Sequence, residues 1–108
     1  YYPDVVIDCQ AQGSQASQPV LIIEVLSDST RQTDLTLKLH DYRQIPSLQE
    51  YIVLEQNFMA ALAYRRSDGW KATSYTQVSD TISLASIGCT LSLAEIYARV
   101  EFEEKRAV

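Results

Sequence analysis

Asp4, Glu24 and Lys38 are the residues whose types and spacing could do chemistry together. Glu24 interrupts the run Val20 to Leu26, whose other six residues are apolar. An ionised glutamate is rarely buried unless something compensates its charge. Asp4 follows Pro3 at the head of an earlier apolar stretch, "DVVIDC". Two carboxylates side by side on one sheet face repel each other, and a divalent cation relieves that repulsion. Oxygen ligands of this kind suit Mg2+, which keeps several waters and takes one or two protein carboxylates; Mn2+ accepts the same donors. A bound metal lowers the pKa of water, and an ammonium such as that of Lys38 orients the water or neutralises developing charge. These are the parts needed to hydrolyse a phosphodiester.

Each residue also has a plainer reading. Asp4 after Pro3 fits a turn at a strand start. Glu24 fits a partly exposed strand end. Lys38 fits an i,i+4 partner for Asp34. Asp8 reads as a strand-end residue, His40 as a solvated helix residue and Tyr42 as core. Arg65, Arg66 and Lys71 flank a turn, where they either touch phosphates or are simply solvated. No glycine-rich phosphate loop and no Ser/His/Asp order is present.

The elements that must position these residues are legible from pattern. Residues 3–10 read as a strand, and 10–18, "QAQGSQASQ", as a polar loop. Val20 to Leu26 reads as a strand with apolar residues on both faces, which suits a sheet covered on both sides. Alternation puts Val20, Ile22, Glu24 and Leu26 on one face and Leu21, Ile23 and Val25 on the other. Asp4, Val6 and Asp8 share a face in the preceding strand. If the strands are neighbours, Asp4 and Glu24 lie side by side.

Ser29 and Gln32 form a capping-box pattern, so a helix is expected from Thr30 to about Gln44. "IPS" ends it, because the residue before Pro46 is pushed out of the α region. Leu35, Leu39 and Tyr42 share one stripe, with Lys38 about 60° from Leu35 and about 40° from Tyr42. Lys38 thus borders the stripe and can run along the sheet toward the carboxylates. Residues 50–55, "EYIVLE", complete a βαβ unit whose strands should be parallel with a right-handed crossover. Asp68-Gly69 marks a hairpin turn between "MAALAYRR" and "WKATSYTQ". "DTISLASIG" suggests one more strand. "LSLAEIYARVEF" reads as a closing amphipathic helix with a second capping box, Ser92 and Glu95. The expected fold is one α/β domain over 1–108, with strands of both orientations in its central sheet.

These motifs resemble a known family. Pro3-Asp4, a loop, and an apolar strand carrying Glu24 resemble the PD-(D/E)XK nuclease superfamily. "EVLSDST", then Asp34, Lys38 and Tyr42, then "EYIVLE" resemble its Uma-type branch, classed among restriction endonucleases. The resemblance covers nearly the whole chain, including "YRRSDGW" and "LSLAEIY". It implies a restriction-endonuclease-like fold and a Mg2+-dependent DNA endonuclease. Asp4 and Glu24 would be its metal ligands, the Val25 carbonyl a candidate third, and Lys38 the residue assisting the attacking water. One departure stands out: the superfamily's lysine two residues after the glutamate is Leu26 here. The resemblance implies that the lysine has moved onto the following helix as Lys38. It also implies an upstream helix and strand before residue 1. Without them the first strand would be an open edge inviting association with another copy.

Composition bounds the alternatives. The 108 residues carry fourteen acids and nine bases, a net charge of −5, which counts against a general nucleic-acid-binding face. A non-catalytic nuclease-like interaction module, or a purely oligomerising fragment, fits that charge and the displaced lysine. The opening "YYPDVVIDCQ" has no basic segment followed by an apolar one, and Glu24 breaks the longest apolar run. A cytoplasmic protein without a membrane span is therefore expected. Cys9 and Cys89 are too few and too far apart for a zinc motif and read as buried thiols.

Overall fold

The computed structural model describes residues 5–8, 18–26 and 31–98, and at 5–8 and 31–34 the backbone alone. Stretches of four to eight residues separated by polar turns give strands β1 (Val5–Asp8), β2 (Pro19–Leu26), β3 (Glu50–Glu55), β4 (Ala61–Arg65) and β5 (Ala72–Tyr75). They form one sheet in the order β1-β2-β3-β4-β5. β2 and β3 are parallel, and the other neighbouring pairs are antiparallel. The parallel pair needs a crossover, supplied by helix α1 (Arg31–Tyr42). Pro19 opens β2, a position where a missing N–H is tolerated.

α1 stops where its stripe and Pro46 require. After Tyr42 the backbone tightens: Gln44 N–H donates to Asp41 C=O at 3.1 Å and Ile45 N–H to Tyr42 C=O at 2.9 Å. These i→i+3 bonds satisfy the last carbonyls of the helix before Pro46. The helix is thus two residues shorter at this end than its pattern suggested. Ser29, its expected cap, lies outside the described residues.

The sheet is covered on both faces. α1 lays Leu35, Leu39 and Tyr42 against Ile22, Leu26, Tyr51, Val53 and Tyr64. On the other face, Leu21, Ile52, Ala61 and Ala63 meet Ile82, Leu84, Leu93 and Tyr97. Ile82 and Leu84 belong to a second hairpin, β6 (Thr81–Leu84) with β7 (Cys89–Ser92). The small Ala61 and Ala63 let that hairpin approach the sheet closely.

Three expectations need correction in this region. Leu91 and Ser92, expected in the closing helix, are instead the last two residues of β7, where they pair with Ile82 and Thr81. The closing helix α2 is the single turn Leu93–Ile96, capped as expected by the Ser92 hydroxyl, which accepts from Glu95 N–H at 3.1 Å. Residues from 99 onward lie outside the described part. Cys89 is exposed rather than buried, as the first residue of β7; Cys9 lies outside the described residues.

The β4–β5 turn forms at Asp68-Gly69 as expected, through a 3₁₀ turn, Arg66–Asp68. Gly69 has φ 69°, and Trp70 follows at φ 65°, a strained value for a bulky side chain. The Arg66 guanidinium lies 5.0 Å from the Trp70 ring centroid. It also donates to the carbonyls of Leu48 and Ile45, both at 2.8 Å. Arg66 therefore ties this turn to the loop after α1.

Glu50 fastens the second hairpin to the sheet. It is 2% exposed at the first position of β3. Its cross-strand neighbour Arg65 donates to Oε2 at 3.3 Å, as does Ala85 N–H at 3.2 Å. Ser86 donates to Oε1 through its N–H at 3.1 Å and its hydroxyl at 2.6 Å. Glu50→Ala removes a buried partner from all four donors. We expect chemical denaturation to show a loss of about 3–5 kcal/mol, against less than about 0.5 kcal/mol for the exposed Lys71→Ala.

Tyr97 fastens the same layer at its other end. Its hydroxyl donates to the carbonyls of Glu55 at 2.7 Å and Ala60 at 3.0 Å. Burial pushes the Tyr97 and Tyr64 phenols above the ordinary tyrosine value. The folded state therefore holds these protons more tightly than the unfolded chain. Their contribution is fully present below about pH 10, the unfolded tyrosine value, and is lost as pH rises through the folded values. Alkaline unfolding curves should show this decline, and Tyr97→Phe should flatten it while costing about 1 kcal/mol at neutral pH.

Candidate active site

Glu24 stands near the C-terminal end of β2, on the face that α1 covers, and is 6% exposed. Among the described residues, Glu24 and Glu50 are the buried charged side chains. The apolar neighbours Ile22 and Leu26 force this position inward, because residues two apart share a face. Its charge is then compensated by donors from two elements.

Lys38, on α1, places Nζ 3.3 Å from Glu24 Oε1, with 18% of its side chain exposed. Tyr42, one turn further along α1, donates to Oε2 at 2.8 Å. Tyr51, on β3, donates to Oε1 at 3.2 Å. The i,i+4 spacing of Lys38 and Tyr42 lets one helix face reach both oxygens of the carboxylate. Tyr51 arrives by register: Glu24 pairs with Val53, and Tyr51 lies two residues back on the same face.

The rings form a packed row. Tyr42 meets Tyr51 edge-on with centroids 5.1 Å apart, and Tyr51 stacks on Tyr64, its cross-strand partner, at 5.9 Å. Such contacts fix ring positions and hence hydroxyl positions.

The structure brings Glu24 and Lys38 together across the sheet face. Glu24 is buried within the sheet, not a partly exposed strand end. Asp4 lies outside the described residues. β1 does neighbour β2 in antiparallel register, with Val6 opposite Ile22 and Val5 opposite Ile23. The Val25 side chain points to the opposite face and is 49% exposed, lining a shallow apolar groove with Leu54, Ile96 and Tyr97. The side chains of Asp8 and Asp34 lie outside the described part. His40 is exposed, as expected.

Two of the three turn cations, Arg65 and Arg66, depart from the expected readings. Arg65 is engaged by Glu50, the Tyr75 hydroxyl and the Ser83 carbonyl, and Arg66 by two carbonyls and Trp70. Both serve the fold, while Lys71 is exposed.

Sequence reasoning missed Tyr51 and read Tyr42 as core alone. The signal was available: a buried phenol needs a hydrogen-bond partner, and a buried carboxylate needs donors.

No group of three or more His, Cys, Asp or Glu side chains converges among the described residues. A cation at Glu24 would therefore rely on few protein ligands and several waters, as Mg2+ does. Glu24 offers the hard oxygen donors such an ion takes. Among the described residues, no helix is long and apolar enough to cross a membrane.

Comparison with known proteins places the chain in a family. Residues 1–94 match the model of the Uma2 family, described as "Putative restriction endonuclease". An uncharacterised Synechocystis protein, slr1290, is 32% identical over 106 residues, covering 93% of this chain and 55% of that protein. A second, sll1609, is 40% identical over 62 residues, covering 52% of this chain and 35% of its own length. The chain thus spans about half or less of these curated relatives. The crystal structure of a "putative nuclease belonging to DUF820" from Anabaena variabilis superposes with a TM-score of 0.64, covering 77% of this chain and 46% of that one at 16% identity. That likeness establishes a shared fold, a mixed sheet with a βαβ crossover, a second hairpin and a C-terminal helix. With the family model matching most of its length, the chain belongs to the Uma2 family.

Proposed function

We propose that this chain forms the catalytic core of a metal-dependent DNA endonuclease. The observation that carries the reading is the Lys38 ammonium 3.3 Å from a buried Glu24 carboxylate, reached across the sheet face from α1. In this reading Glu24 and Asp4 ligate Mg2+, or Mn2+ in its place, with the Val25 carbonyl as third ligand. The ion supplies Lewis-acid activation of water and charge neutralisation at the scissile phosphate. Lys38 neutralises charge developing on the phosphate and orients the attacking water. The Glu24 carboxylate holds the Lys38 ammonium at this sheet face, so its position is set before substrate arrives. The family's description and the shared nuclease fold support a DNA substrate.

A second reading has its own observation. Glu24 accepts hydrogen bonds from two side chains of α1 and one of β3, and such bonds on their own would dock α1 in a non-catalytic module. Plasmid nicking by the intact protein in Mg2+ separates the two. The nuclease reading expects nicking that Glu24→Gln abolishes. Lys38→Ala should leave Mn2+ binding nearly intact but lower cleavage about a hundredfold or more. Lys38→Arg should rescue poorly, because guanidinium is larger, planar and keeps its proton. The docking reading expects no metal-dependent nicking by any of these proteins. Metal binding has an independent readout: Mn2+ at about a hundred times its Kd should stabilise wild type by about 2.7 kcal/mol and leave Glu24→Gln unmoved.

A further inference from the structure

The two buried carboxylates of the described residues differ in one respect. A carboxylate has about four acceptor sites, two on each oxygen. Glu50 fills all four, two donors on each oxygen. Glu24 fills three: Lys38 and Tyr51 occupy Oε1, and Tyr42 alone occupies Oε2. Glu50 is closed, and Glu24 keeps one acceptor site on one oxygen.

Orientation decides what that site is worth. The terminal torsion of a glutamate is broad, and its two oxygens are equivalent, so a half-turn changes nothing and what must be fixed is the plane of the carboxylate. Here that plane is held by hydroxyls on two different elements. Tyr51, 1% exposed, is gripped between Tyr42 and Tyr64. Tyr42, 5% exposed, is gripped by Tyr51 and the α1 stripe. Neither hydroxyl can follow a tilting carboxylate plane without moving its ring through the packed row.

We propose that Tyr42 and Tyr51 are positioning residues for Glu24, reserving Oε1 for Lys38 and presenting Oε2 to a divalent cation. The inference rests on the nuclease reading and goes beyond it by assigning which oxygen meets the ion and which side chains fix that choice. It separates the ammonium from the ion on opposite oxygens of one carboxylate, which lowers their mutual repulsion. Partners of a ligand carboxylate typically contribute one to two orders of magnitude in metal affinity.

The test is Mn2+ binding by the intact protein, followed as loss of the free-ion electron paramagnetic resonance signal. Wild type is compared with Glu24→Gln, Tyr42→Phe, Tyr51→Phe and Tyr64→Phe. Phenylalanine keeps each ring and removes only the hydroxyl. Tyr64→Phe is the control, because its ring belongs to the same row while its hydroxyl makes no bond to Glu24. We expect Glu24→Gln to abolish binding and Tyr42→Phe and Tyr51→Phe each to raise Kd about tenfold or more. Tyr64→Phe should match wild type. A saturating Mn2+ concentration should restore the metal-induced rise in melting temperature to both tyrosine variants. If Glu24→Gln abolishes binding but both tyrosine variants bind like wild type, the positioning role is overturned and the nuclease reading stands. If wild type fails to bind, or Glu24→Gln binds like wild type, the nuclease reading falls and the positioning role falls with it.

Discussion

A carboxylate buried in the middle of a sheet face constrains everything around it. Glu24 cannot be left on the inner face of β2 without donors, since an uncompensated buried charge costs several kcal/mol. The donors come from α1 and β3, so the helix must cross the sheet at one place and in one rotational setting. Leu35 and Leu39 supply the apolar contact that holds α1 down. Lys38 and Tyr42 fix its register. The hydrophobic stripe thus says that a helix packs here, and the polar pair says where.

Glu50 shows the same physics turned to a different end. It lies on the same strand as Tyr51, facing the opposite layer, and its donors are spent on joining β3, β4 and the β6–β7 turn. Nothing remains with which to hold a ligand. The contrast separates a carboxylate whose acceptor sites are all spent on fastening from one that, in the proposed reading, also meets an ion. Burial alone does not separate them, since both are almost wholly enclosed. The count and direction of donors do.

Much of this was legible before any coordinates. The alternation in "PVLIIEVL" put Glu24 on the face of Ile22 and Leu26, and β3 follows the run "EYIVLE" residue for residue. The helical wheel brought Lys38 to the edge of the stripe, from which its long stem reaches Glu24. What escaped was set by contacts distant in sequence. Nothing local in "CTLS" marks a strand; β7 exists because β6 offers it a partner and the sheet's far face needs cover. Cys89 shares the face of its partner Leu84 and is exposed because it sits at the turn end of that hairpin. Arg65 and Arg66 looked like turn cations because their partners, Glu50, Ser83 and the carbonyls of Ile45 and Leu48, are fifteen or more residues away. Tyr42 passed for core because ring and hydroxyl do different work: one packs, the other donates.

The central claim is that Glu24 is buried in order to hold a cation, with Oε2 as the oxygen that meets it. Anomalous diffraction from crystals of the intact protein grown or soaked with Mn2+ tests it most directly. The account predicts an anomalous peak about 2–2.5 Å from Glu24 Oε2, with Lys38 remaining on Oε1. A peak elsewhere with none at Glu24, or an ion on Oε1 with Lys38 displaced, would contradict it.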